Sequence, residues 1–165
     1  MGTSRQDGDL FVVGDLGART MSIPSGTVDN DDVQAAAGIS ATKVEHQFTK
    51  SYSQESATGA ADEARVLHGV QGATGSIVAF EVGSVVANIG VAVVAIDLLK
   101  NGTTVLSSAV QLTSSHTAYE VVAATVGTTS LVDGDVLEAG IDGTAGGGTL
   151  AKGVFVNLII REDPE

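Results

Sequence analysis

From about residue 64 onward, apolar residues recur in short runs broken by Gly, Asn, Asp and Ser. These runs are "ARVLHGV" (64–70), "GSIVAFEVG" (75–83), "VAVVAIDLLK" (91–100), "TTVLSSAVQLT" (103–113), "AYEVVAATVG" (118–127), "GDVLEAGID" (134–142) and "LAKGVFVNLIIRE" (150–162). β-Branched residues are dense in them, and turn formers separate them at short intervals, which predicts a succession of strands. In "ATKVEHQFTKSYS" (41–53), Val44, His46 and Phe48 alternate with Lys43, Glu45 and Gln47, the period of a half-exposed strand. No helical stretch is long enough for a parallel crossover, so the pattern predicts an all-β sandwich or barrel.

The first part of the chain has a different texture. It is polar and mixed, with a short strand pattern in "DLFVVGD" (9–15) and a break at Pro24, Ser25 and Gly26. A short helix is predicted over "VQAAAG" (33–38). Asp29 or Asn30 can cap it, Asp31 and Asp32 suit its positive end, and Gly38 suits its C′ position. The organisation expected is an N-terminal arm (1–40) carrying one short helix, followed by a β-sandwich domain (41–165).

Two local patterns sharpen this picture. Asn101-Gly102 lies between apolar runs, and both residues tolerate the positive φ of a type I′ turn, so a tight hairpin is expected there. The run "VAVVAI" is apolar on both faces, and such a strand needs a covering layer. Either residues 1–63 folding over it, another subunit or ordinary loops would supply it.

Composition narrows the function. The 165 residues hold no Cys, which removes disulfides, thiolate catalysis and cysteine-based metal centres. With 8 Lys/Arg against 20 Asp/Glu, the formal net charge is −12, a balance that disfavours free nucleic acid as a partner. There is no Trp, and aromatics make up 4% of the chain, which argues against a base- or sugar-stacking surface. The start, "MGTSRQDGDL", lacks the basic and apolar regions of an export signal. The most apolar stretch, "VVANIGVAVVAIDLL", is too short and too interrupted to span a bilayer, and it reads as buried strands. Synthesis in a cytoplasm, without membrane insertion, is expected.

Candidate chemistry is thin. His46, His68 and His116 have no metal-ligand spacing, and no metal or other cofactor is expected. "DGD" at 133–135 reads as turn chemistry, with Asp133 and Asp135 solvated. The Gly-rich "GTAGGGTLAKG" (143–153) lacks the P-loop ending and reads as a flexible hairpin loop. Asn101-Gly102-Thr103 has the form of a glycosylation sequon, but its turn role is the better account. Tyr52, Tyr119 and Phe155 are the loose candidates for an aromatic binding patch. No catalytic residues are assigned.

The segments "AIDLLKNGTTVLSSAVQL", "LVDGDVLEAGID" and "GGGTLAKGVFVNLIIRE", with the upstream block "TKVEHQFTKSYSQESATGAADEARVLHGVQGATGSI", resemble structural proteins of tailed bacteriophages. The likeness is to the head decoration, or cement, proteins and related virion β-sandwich proteins. It implies a jelly-roll-like β-sandwich and a homotrimer on the major capsid protein surface. It also implies a virion location on the capsid exterior, a bracing role and no catalysis. A tail-associated or carbohydrate-binding sandwich module is the alternative.

Overall fold

The computed structural model describes residues 45–72 and 74–163. The proposed arm, its short helix and the strand pattern at 9–15 lie outside the described residues. Within them the structure is all-β, with ten strands in two antiparallel sheets packed face to face.

The first sheet has the order β1 (His46–Ser53), β10 (Lys152–Glu162), β3 (Gly75–Val86), β7 (Val121–Ala123), with β8 (Ser130–Leu131) also paired to β3. The second runs β2 (Glu63–Gly69), β9 (Val136–Thr144), β4 (Val93–Lys100), β5 (Thr103–Thr104), with β6 (Val110–Leu112) also paired to β4. The chain passes between sheets from β1 to β2, β2 to β3 and β3 to β4, and returns to the first sheet only after β6. The last strand is inserted between the first and the third. This interleaving of two four-position sheets is the strand order of a jelly roll.

The core follows from the period-two alternation of the long strands. Val94, Ile96 and Leu98 of β4 point inward, as do Leu137, Ala139 and Ile141 of β9. They meet Phe80 and Val82 of β3 and Val154, Val156, Leu158 and Ile160 of β10. Burying each large side chain is worth about 1.5 to 3 kcal/mol. The strand read as apolar on both faces is therefore one-sided in use. Its outer residues Val93, Ala95 and Leu99 are only half-buried, and Leu99 lies over Gly140 of the next strand.

The long strands match the sequence pattern closely, but two predicted strands break. "TTVLSSAVQLT" forms strand only at Thr103–Thr104 and Val110–Leu112. Between them, Ser107 N–H donates to the Thr125 carbonyl (2.9 Å), while Gly127 N–H donates to that of Val105 (2.7 Å). "AYEVVAATVG" keeps only Val121–Ala123 as strand, and Tyr119 takes φ 63°. Both segments leave their own sheets to bond each other across the side of the sandwich, a competition that local propensity does not reveal. A third difference concerns the Gly-rich segment. It carries the chain from β9 in one sheet to β10 in the other, so it is a crossing between layers and not a hairpin.

Candidate functional site

Asn101 and Gly102 have φ 52° and 77°, the positive pair that a type I′ turn requires, and they join Lys100 to Thr103. The turn has a second task. Asn101 Nδ2 donates to Asp135 Oδ1 (2.7 Å), and the Val136 amide donates to Asn101 Oδ1 (2.8 Å). Asp135 also accepts from the Val132 amide (3.0 Å) and pairs with Lys100 Nζ (3.3 Å). The hairpin tip is thus clasped to the "DGD" turn.

This corrects the expectation that both turn carboxylates are solvated. Asp135 is only 5% exposed. The Val132 amide, helped by Asn101 and Lys100, outweighs desolvation and holds its carboxyl below the usual value. Asp133 accepts from the Gly72 amide (2.7 Å). Because both ends of the Asn101 amide are engaged, the sequon is spent on the clasp.

The Gly-rich segment is pinned. Thr149 and Ile89 exchange backbone hydrogen bonds (2.9 and 3.0 Å). Gly148 lies so close to Ile89 and Ala92 that a Cβ would stand 2.3 Å from the Ile89 carbonyl oxygen. The segment therefore serves as packing for the β3–β4 connection (87–92).

The three histidines do not share a site. His46 begins β1 opposite Glu162, and His116 closes the 113–116 turn, its Nδ1 accepting from the Thr113 amide (3.1 Å). His68 sits where the two sheet edges meet. Its ring packs edge-on against Phe48 (5.3 Å between centroids), and its Nε2 lies 3.7 Å from Glu162 Oε1. Desolvation first, then the Lys50 charge, lowers its pKa, while Glu162 opposes. Among the described residues, no group of three or more His, Asp or Glu is arranged to hold a metal ion.

One surface feature is a shallow, open depression of about 180 Å³ lined by Tyr52, Gln54, Glu55, Thr58 and Glu63. Tyr52 donates its hydroxyl to Glu63, and the Arg65 guanidinium lies over the Tyr52 ring (4.7 Å) while pairing with Glu63. The Tyr52 hydroxyl first, then Gln54 and Arg65, hold the Glu63 carboxyl below its usual value. These groups satisfy one another, and the volume falls below the roughly 300 to 1,000 Å³ of a small-molecule pocket.

The aromatic candidates do not form one platform. Tyr52 pairs with Val156 on the inner face of its sheet, whereas Phe155 is on the outer face, its ring laid across Gly83. Tyr119 is exposed, and its amide donates to the Ser84 carbonyl (2.8 Å).

What stands out instead is apolar surface on a stiff frame. Val86, Ile89 and Val91 are exposed together at one end of the sandwich, around the β3–β4 connection. The hydrophobic pattern of this stretch reads as buried strands, but Ile89 and Val91 lie in the exposed connection between β3 and β4.

The class these features define is an antiparallel jelly-roll β-sandwich with an apolar core. No protein-family model matches the chain, and no curated protein matches its sequence.

Proposed function

We propose that this chain is a structural virion protein, a capsid decoration protein that binds the outer head surface as a homotrimer and braces it without catalysis. The observation that carries this reading is the pairing of exposed apolar side chains with a rigid sandwich, while the polar clusters are consumed by internal bonds. A brace needs shape-complementary surface and multivalency in place of a pocket. The resemblance to phage decoration proteins supports the same role.

The test is to purify native particles and locate the protein by electron microscopy, then compare the heat resistance of heads with and without it. Density on the head exterior and a loss of resistance in its absence are expected. Absence of the chain from the particle would overturn the reading.

The alternative reading is a tail-associated or carbohydrate-binding module, whose site would be the shallow depression at Tyr52, where Arg65 already lies over the ring. Binding on a glycan array that is lost in Tyr52→Ala would favour it, and an array without binding would count against it.

A further inference from the structure

We propose that Asn101 is a modification site. Its side-chain amide is lost spontaneously through attack by the Gly102 backbone nitrogen, the Asp135 clasp sets the rate, and the carboxylate so formed unfastens the clasp. The inference is independent of the virion reading.

Three observations carry it. First, Asn101 is followed by glycine, whereas Asn30, Asn88 and Asn157 precede Asp31, Ile89 and Leu158. Glycine has no side chain to shield its peptide nitrogen or to restrict the backbone rotation that the attack requires. Both turn residues are exposed, and a Cβ at Gly102 would meet nothing within 4 Å, so the reaction has room and water has access.

Second, the amide is held elsewhere. Nδ2 donates to Asp135 Oδ1 (2.7 Å), Oδ1 accepts from the Val136 amide (2.8 Å), and the Asn101 amide donates to the Val136 carbonyl (2.9 Å). Turning the side-chain carbon onto the Gly102 nitrogen breaks both side-chain bonds. One of them runs to the buried Asp135 carboxylate, and bonds to an ionised acceptor are the stronger kind. Reaction therefore waits on a local opening of the clasp.

Third, the product cannot refasten it. The Gly102 nitrogen bonds to Asn101 Cγ as the Cγ–Nδ2 bond breaks, and Nδ2 leaves as ammonia with the proton from that nitrogen. Solvent water then opens the cyclic imide at either carbonyl, giving an aspartyl or isoaspartyl residue, with no oxidant or reductant needed. A carboxylate only accepts hydrogen bonds. At position 101 it takes the place of the Nδ2 donor against Asp135, and two carboxylates sharing a site disfavour the ionised state of both. Lys100 Nζ is already shared between Asp135 and the Ser130 carbonyl. The isoaspartyl form also lengthens the backbone of a tight two-residue turn.

The test is to age the full chain in mildly alkaline buffer and follow conversion of the peptide containing residue 101 by mass spectrometry. Conversion in the folded wild type is expected to be about tenfold or more slower than in urea, the ratio that one net charged hydrogen bond corresponds to. Asp135→Ala, checked as folded by circular dichroism, should convert faster than wild type, while peptides holding Asn88 and Asn157 stay unchanged. For the product, Asn101→Asp should melt below Asn101→Gly, which suits φ 52° and adds no charge.

Equal rates for wild type in buffer and in urea would overturn the proposal, as would a folded Asp135→Ala chain that converts no faster than wild type. An Asn101→Asp chain at least as stable as Asn101→Gly would overturn the unfastening. If Asp135→Ala fails to fold, the urea comparison and the position-101 pair still decide.

Discussion

The two long sides of the sandwich are closed by different means. On the side of β5 to β8, the broken strands lace the sheets with backbone bonds between residues 105–107 and 125–128. The Asp135 clasp adds to this, and Lys100 Nζ donates to the Ser130 carbonyl (3.0 Å), tying β4 of one sheet to β8 of the other. On the side of β1 and β2, the sheets meet through side chains: Tyr52 to Glu63, Phe48 to His68 and His68 to Glu162. The Gln54 amide donates to the Val154 carbonyl (2.8 Å), which sets the alternation of the β1–β10 ladder. By that alternation Gln47, Thr49, Ser51 and Ser53 turn their backbone groups to the edge that is unpaired among the described residues. Backbone lacing yields a cooperative wall, whereas a side-chain seam leaves each contact separable.

The largest effect is expected at the clasp. Asp135→Ala removes a buried carboxylate and strands Asn101, Lys100 and the Val132 amide, at a cost of about 2 to 4 kcal/mol in urea unfolding. The folded-state pKa of Asp135 is below the unfolded value of 3.8, so its contribution is full above that value. It is lost as pH falls through the folded value. The variant should therefore have a flatter acid limb.

Edge polarity predicts a contrast on β1. The Lys50 amide faces β10, so Lys50→Pro should cost at least about 2 kcal/mol through a broken ladder and backbone strain. Thr49→Pro, whose amide faces away from β10, should stay within about 1 kcal/mol of wild type. Equal losses in the two melting curves would reverse the assigned edge.

At the hairpin, Gly102→Val must hold a β-branched residue at φ 77°, at a cost of about 1 to 2 kcal/mol. An unchanged melting temperature would show that this turn relaxes freely.

Smaller effects belong to the seam. Tyr52→Phe deletes one hydroxyl and should cost about 1 kcal/mol, with the Glu63 pKa rising toward its ordinary value. For His68 the folded pKa is below the unfolded value of 6.5, so on acidification the unfolded chain takes up the proton first. Its contribution is present above 6.5 and is lost as pH falls toward the folded value. His68→Gln should flatten stability across that window, and an unaltered pH profile would remove His68 from the seam.

The strands that build the core were legible as alternation. β3, β4, β9 and β10 each carry enough apolar residues for burial to dominate. The Asn101-Gly102 turn was legible too, because positive φ is a local property of those residues. The breaks in 103–113 and 118–127 were not, since their bonding partners are each other, at a separation that local pattern does not register. Nor was the fate of Asp135. A turn carboxylate is ordinarily solvated, and only the approach of Asn101, 34 positions away, buries it.

By itself, then, the sequence determined which residues alternate, where the chain can turn tightly, and that the chain is acidic and free of cysteine. Each depends on neighbours within a few positions or on composition alone. Only the tertiary structure decided that the Gly-rich segment lies beside the β3–β4 connection, that the sheets interleave as a jelly roll, and that one side is laced and the other seamed. Those facts follow from long-range pairing, where many registers satisfy the local pattern and packing of the shared core selects one.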